Sequence, residues 1–80
     1  MRTTKELLEL MLEHQELFHA GLCHWAFDLY DVDLITRAEY RLLKQYIEEN
    51  KPENAGRTYY WKVGKIAPRI EWINQQIEWL

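Results

Sequence analysis

Apolar residues near the start of the chain recur at steps of three and four, which is the period of an amphipathic helix. This face carries Leu7, Leu10, Met11, His14, Leu17 and Phe18. Thr3 and Glu6 have the spacing of a capping box, in which each side chain hydrogen-bonds the other residue's backbone. The pattern predicts a first helix over residues 4–20. Gly21 then follows, either as its C-cap or as a glycine tolerated inside a continuous rod.

The next stretch, residues 22–30, is apolar around most of its girth. A helix of that composition is expected to be buried on more than one side, so we predict that it is the central helix. After a polar break, Thr36 and Glu39 form a second capping-box candidate, preceded by Leu34 and Ile35 in the manner of a hydrophobic staple. The third helix is expected to end near Glu49, before Pro52, and its predicted core face carries Tyr40, Leu43 and Ile47.

The last third of the chain combines an extended segment with a final helix. Residues 58–63 have strand composition but no partner strand, so we expect an extended segment lying across the helices. Pro68 stands where a proline at the first helical position is favoured. The predicted core stripe of the fourth helix is Ile70, Ile73, Ile77 and Leu80. The predicted fold is therefore mainly α: one domain over residues 1–80, with four helices and an extended aromatic segment before the last.

Composition favours self-association. A chain of 80 residues buries a marginal core, and the single cysteine, Cys23, excludes an internal disulfide and favours a reducing cytoplasm. Four Trp, five Tyr and two Phe are more than a monomer of this size can cover. We therefore expect a homo-oligomer, whose interface could include Trp72, Trp79 and whichever of Tyr59 or Trp61 stays exposed.

The charge distribution points to one segment. The formal net charge of −3 disfavours nucleic acid as a partner. The four Lys and Arg residues of the last 24 positions all lie between Arg57 and Arg69, a stretch without an acid. We expect no signal peptide or membrane span at the start, because the apolar run of residues 7–12 is short and interrupted by Glu9.

Catalytic and metal-binding patterns are weak. His14, His19 and His24 are five residues apart, so they cannot converge on one metal ion in a continuous helix. Cys23 lies in the most apolar segment, which is typical of a buried structural cysteine and not of a nucleophile. The carboxylate pairs lie on helix faces that are predicted to be solvent-exposed. The three glycines are too far apart in the sequence to form a phosphate-binding loop. The sequence predicts a protein without catalysis, metal or cofactor.

The segment from residue 57 to residue 69 is the best candidate ligand site. Aromatic rings among cations suit stacking on a base beside contact with a phosphate, and the start of the last helix favours an anion. The alternative is that the rings cover the core and the cations stay in water, which is the commoner use of such residues. The candidate ligand-binding residues are Arg57, Tyr59, Tyr60, Trp61, Lys62, Lys65 and Arg69.

Several short pieces of the chain together resemble a group of short tailed-phage proteins of unassigned function. The resemblance covers about residues 20–77, and its most specific part surrounds Pro68-Arg69-Ile70. It also rests on Gly21-Leu22-Cys23, Leu34-Ile35-Thr36 with Glu39, Tyr46-Ile47 with Asn50 and Pro52, Tyr60-Trp61, and Glu71-Trp72. It implies a phage product acting in the cytoplasm of a bacterial host. Small proteins of this kind often counter host defence, either by sequestering cyclic nucleotide signals or by blocking a host protein.

Two functions follow as hypotheses. The first is a homo-oligomeric sponge for a nucleotide-type immune signal, which would bind at residues 57–69. The second is a protein–protein inhibitor of a host factor, which would use the Trp-rich end or the acidic first helix with Glu6, Glu9, Glu13 and Glu16. Direct nucleic-acid binding through the basic segment ranks third, and an enzyme ranks last.

Overall fold

The computed structural model describes residues 1–17, 21–51 and 67–80, and these form a mainly helical fold. The elements are α1 (Thr4–Glu13), a single 3-10 turn (Gln15–Leu17), α2 (Leu22–Asp31), α3 (Arg37–Asn50) and α4 (Ala67–Trp79). The predicted mainly α class with four helices is confirmed. The predicted extended segment at residues 58–63 lies outside the described residues. None of the described helices is long and apolar enough to cross a membrane.

Both predicted capping boxes are present, and they fix where α1 and α3 begin. The backbone N–H of Glu6 donates to Thr3 Oγ1 (3.2 Å), while that of Thr3 donates to Glu6 Oε1 (2.9 Å). At the start of α3 the matching distances are 3.1 Å for Glu39 N–H to Thr36 Oγ1 and 2.8 Å for Thr36 N–H to Glu39 Oε1. Backbone donors that a helix start leaves unpaired are thus satisfied by side chains in the sequence itself.

The prediction that the first helix continues to residue 20 is wrong, because α1 ends at Glu13. His14 leaves helical geometry (φ −114°, ψ 47°). Its carbonyl accepts hydrogen bonds from the Leu17 backbone N–H and from the Trp25 indole N–H, each at 3.1 Å. Trp25 is fully buried, and a buried indole N–H needs an acceptor. Diverting the His14 carbonyl supplies that acceptor and breaks the rod.

Gly21 is not part of a continuous first helix, because it is the N-cap of α2 and has extended backbone (φ −67°, ψ 168°). The first two helices are therefore separate. α1 packs against each of the other three helices, whereas α2 packs mainly on α3. We predicted that α2 is the central helix, but α1 holds that position. One flank of α2 faces outward and carries Phe27, which is 43% exposed.

The third helix matches its prediction closely and ends at Asn50, one residue beyond the expected position. Its Leu43 and Ile47 are fully buried, and Tyr40 is partly buried against the same core. Lys51 has extended backbone (φ −64°, ψ 146°). This is the conformation that a following proline favours, and Pro52 comes next.

The fourth helix buries a different face from the predicted one. Ile73 is in the core, but Leu80 is 52% exposed, and the other fully or nearly fully buried residues are Arg69, Trp72 and Gln76. At 100° per residue, the buried face is turned by about 70° from the predicted stripe. Because the buried face is rotated in this way, the Trp72 indole N–H can donate to the Asn50 carbonyl (3.2 Å), and Gln76 can accept from the Tyr46 hydroxyl (2.8 Å). Pro68 is the second residue of α4 and not the first.

Candidate binding surface

Three aromatic rings on α2 and α3 form a partly exposed cluster, which we call the aromatic surface: Phe27, Tyr30 and Tyr40. The two tyrosine rings are stacked, with centroids 5.6 Å apart and planes 17° from parallel. Phe27 meets both of them edge-on, at 6.1 Å from Tyr30 and 5.8 Å from Tyr40. These are favourable aromatic geometries. The outermost ring, Phe27, is thus held in place and still 43% exposed.

The turn between α2 and α3 sets how the three rings meet. The Leu34 N–H donates to the Leu29 carbonyl (2.9 Å) and the Asp33 N–H donates to the Tyr30 carbonyl (3.0 Å). Asp33 has a left-handed backbone with φ of 62°. Together these features make a Schellman motif that closes α2. Thr36 then caps α3 four residues before Tyr40, so local sequence signals bring that ring back over α2.

A row of exposed cations borders the aromatic surface on α3. Arg37, Arg41 and Lys44 are spaced four and three residues apart, so they share one face of the helix. All three are exposed, and none forms an ion pair with any side chain in the described part of the chain. We call these three residues the cationic row. Glu48 lies beyond its Lys44 end, and Asp31 lies on the α2 side of the rings.

Glu39 ties the start of α3 to the start of the chain. Its side chain, 3% exposed, accepts from the Arg2 backbone N–H (2.9 Å) and from the Arg2 guanidinium (3.1 and 3.2 Å) in addition to its capping bond. Hydrogen bonds from the Thr36 and Arg2 backbones, helped by the guanidinium charge, outweigh burial and lower the pKa of Glu39 from 4.5 to about 2. The carboxylate is therefore charged under ordinary conditions and acts as a structural clamp.

A second polar contact joins α3 to α4. The Tyr46 hydroxyl donates to Gln76 Oε1, and burial raises the pKa of that hydroxyl. The Asn50 side chain donates to the Tyr46 carbonyl (2.9 Å), while its own carbonyl accepts from Trp72. Because Trp72 is only 4% exposed, it is not available for the oligomer face proposed from the sequence. Trp79 is 73% exposed and is therefore available for such a face.

Of the seven candidate ligand-binding residues, the structure describes Arg69. It lies in the first turn of α4 and is 3% exposed, packed into the monomer. The other six, Arg57, Tyr59, Tyr60, Trp61, Lys62 and Lys65, lie outside the described residues. The ligand site at residues 57–69 therefore stays a prediction. Nearby on α4, an open groove runs along Glu71, Asn74, Gln75, Ile77 and Glu78.

The histidines and the cysteine do not converge in the described part of the chain. His14 Nδ1 contacts Glu16 Oε1 at 3.1 Å, and His24 is exposed on α2. Cys23 is partly buried, and His19 lies outside the described residues. Within residues 1–17, 21–51 and 67–80, no three His, Cys, Asp or Glu side chains are grouped so that they could hold a metal ion.

The sequence prediction did not single out the aromatic surface, because it expected residues 22–30 to be buried on more than one side and placed Tyr40 on the core face of the third helix. The spacing of the rings along α2 could have indicated this surface. Phe27 and Tyr30 are three residues apart, on a flank of α2 that also carries Cys23 and is distinct from the face of Leu22, Ala26 and Leu29. A short helix in a small domain has one face to bury, and the flank was bound to be partly exposed.

No protein-family model matches the chain, and neither a curated protein nor a solved structure matches it.

Proposed function

We propose that the chain is a binding protein without catalysis, and that it acts by protein contact through the aromatic surface. The observation that carries the proposal is Phe27, an apolar ring that is 43% exposed while two tyrosine rings hold it edge-on. A fixed ring loses little conformational entropy when a partner covers it, so its burial contributes almost fully to binding. Aromatic anchors of this kind are enriched among interface hot spots.

The partner that this proposal favours is a protein of a bacterial host. The resemblance to short tailed-phage proteins supports a product that acts on host factors in the bacterial cytoplasm. The aromatic surface supports contact with a protein and replaces the Trp-rich end as the preferred contact surface, since Trp72 is buried in the monomer. Tyr30 and Tyr40 contribute hydroxyl groups beside the apolar rings. This combination suits a surface that is solvated in the free protein and desolvated in a complex.

The experiment compares two exposed apolar residues on α2 and its C-cap. Phe27→Ser removes the outer ring of the aromatic surface, whereas Val32→Ser removes an apolar side chain that is 50% exposed and lies outside the three-ring cluster. Tagged wild type, F27S and V32S are expressed in a bacterial host, crosslinked and purified, and the associated protein is measured by mass spectrometry. Loss of a hot spot costs at least about 2 kcal/mol, or roughly 30-fold in affinity.

The expected result is a specific partner retained by wild type and V32S and depleted by F27S. Circular dichroism of all three proteins controls for folding. Equal recovery of the partner by F27S and wild type would refute the assignment of the aromatic surface. Equal losses in F27S and V32S would show that general apolar contact, and not this surface, holds the partner.

A nucleotide-type ligand is the second candidate function, and the composition of residues 57–69 favours it. Three aromatic rings and three cations precede Arg69 in that segment, a mixture suited to a base and a phosphate. Native mass spectrometry of protein purified from a host with a nucleotide-based defence system tests it. A nucleotide-sized added mass that Trp61→Ala and Lys65→Ala abolish would support the sponge, and bare protein would count against it.

A further inference from the structure

A ridge of acidic residues runs along the outer face of α1. Glu6, Glu9 and Glu13 are spaced three and four residues apart, so they share one face of the helix. All three are exposed, and that face lies opposite the fully buried Leu7, Leu8 and Met11. We call these three residues the acidic ridge. Glu6 also belongs to the α1 capping box, whereas Glu9 and Glu13 form no ion pair with any described side chain.

The acidic ridge and the cationic row are matched in size and opposite in sign. Each places three charges across eight residues of helix, a span of about 10 Å. Each is bordered by apolar surface: partly buried Leu10 and Leu12 beside the ridge, and the aromatic surface beside the row. Lys5 at the edge of the ridge and Glu48 beyond the row are the nearest exposed opposite charges along each helix, whereas Glu39, between Arg37 and Arg41, is buried and bonded to Arg2.

Helix stability explains Glu6, which caps α1, but it explains neither Glu13 nor Arg37. Glu13 is the last residue of α1, whose last turn has no basic residue, and Arg37 is the first residue of α3. Both positions oppose the helix dipole, which favours cations at the C-terminus and anions at the N-terminus. Like charges four residues apart, as in Glu9 and Glu13 or Arg37 and Arg41, cost a further 0.2–0.5 kcal/mol or so per pair. An external partner would remove both costs.

We propose that the acidic ridge of one copy of this chain docks on the cationic row of a second copy. The two faces lie on different helices, and within the described part of the chain no carboxylate of the ridge forms an ion pair with a cation of the row. The contact is therefore heterologous, and repeated contacts run head to tail. It is weak and salt-dependent, because exposed ion pairs are worth about 0–1 kcal/mol each and are screened by salt.

Sedimentation velocity tests the proposal on the full chain. The weight-average mass should exceed the monomer mass of 9.8 kDa as concentration rises at low salt. It should return to that mass at high salt, since raising ionic strength from about 0.05 M to about 0.5 M shortens the Debye length roughly threefold. A chain that stays monomeric at every salt concentration would overturn the proposal. Association that strengthens with salt would also overturn it, because it would indicate an apolar interface.

Charge reversal makes the test specific to these two faces. Glu9→Lys and Arg41→Glu should each weaken association at least tenfold, and the double variant, which keeps the net charge at −3, should restore it. Glu71→Lys on the exposed face of α4 is the matched control, because it changes net charge as E9K does. Equal effects of E9K and E71K, or failure of the double variant to restore association, would refute the pairing.

This inference does not rest on the proposed function, and F27S separates the two. If F27S still self-associates but no longer retains its partner, then the aromatic surface serves the partner and the charged faces serve self-association. If F27S abolishes self-association while E9K and R41E have no effect, the second copy docks on the rings and the proposed charge pairing is wrong.

Discussion

Glu39 offers the sharpest test of how the fold is held together, through the substitution Glu39→Gln. Glutamine keeps the shape and can still accept the Thr36 backbone bond, but it carries no charge for Arg2. Lowering a carboxyl pKa from 4.5 to about 2 corresponds to roughly 3 kcal/mol of folding free energy, at about 1.4 kcal/mol per tenfold change in proton affinity. The Arg2 side chain is 45% exposed, so we reduce the expected loss to about 2 kcal/mol for solvent screening.

The sign of the pH dependence follows from the lowered pKa. The unfolded chain binds a proton at Glu39 more readily than the folded chain does, so acid favours unfolding. The stability from this carboxylate is fully present above its ordinary pKa of 4.5 and is lost as pH falls towards about 2. The difference in stability between wild type and E39Q should therefore be constant from pH 7 to pH 5 and shrink below that.

Urea denaturation followed by tryptophan fluorescence measures this difference at a series of pH values. Domains of this size are stable by about 4–12 kcal/mol, so a loss near 2 kcal/mol is readily resolved. Glu6→Gln in the fully exposed capping box of α1 is the matched control and should cost less, because its partners are local. If E39Q unfolds like wild type at pH 7, or the difference does not change with pH, the clamp does not stabilise the fold.

Two further substitutions test the packing of α3 on α4 and the turn before α3. Tyr46→Phe should cost about 1–3 kcal/mol, because it leaves the buried Gln76 oxygen without its donor. The double variant Tyr46→Phe with Gln76→Leu should regain most of that loss, and urea denaturation that shows no regain would contradict the hydrogen-bond explanation. Asp33→Gly should raise stability by about 0.5 kcal/mol, because glycine adopts the left-handed backbone of that position (φ 62°) without strain. A lower thermal midpoint for D33G would show that the Asp33 side chain itself stabilises the turn.

The sequence predicted helix starts better than helix ends or faces. Thr3 with Glu6 and Thr36 with Glu39 are complete local signals, because all the atoms of each capping box lie within four residues. The end of α1 depends instead on Trp25, eleven residues downstream, whose indole takes the His14 carbonyl. The apolar pattern of residues 4–20 cannot predict that contact, because Trp25 lies outside this stretch.

The buried face of α4 escaped prediction for a similar reason. Apolar periodicity selects isoleucine and leucine positions, but the observed face includes Gln76 and Arg69, which are 1% and 3% exposed. Gln76 is buried because Tyr46, thirty residues earlier, supplies its hydrogen bond. Burial of a polar side chain depends on a partner, and a partner distant in sequence cannot be identified from one chain without its fold.

The same physical distinction separates the two candidate binding surfaces. The aromatic surface stands on α2 and α3, which are joined by a Schellman turn and a capping box, and Glu39 in that box is tied to Arg2. Local signals thus fix the three rings before any partner arrives, which lowers the entropic cost of binding. The residues predicted to hold a nucleotide carry a suitable composition, but all of them except Arg69 lie outside the described residues. A fixed ring that is 43% exposed is therefore the stronger basis for a binding function, and F27S is the variant that tests it.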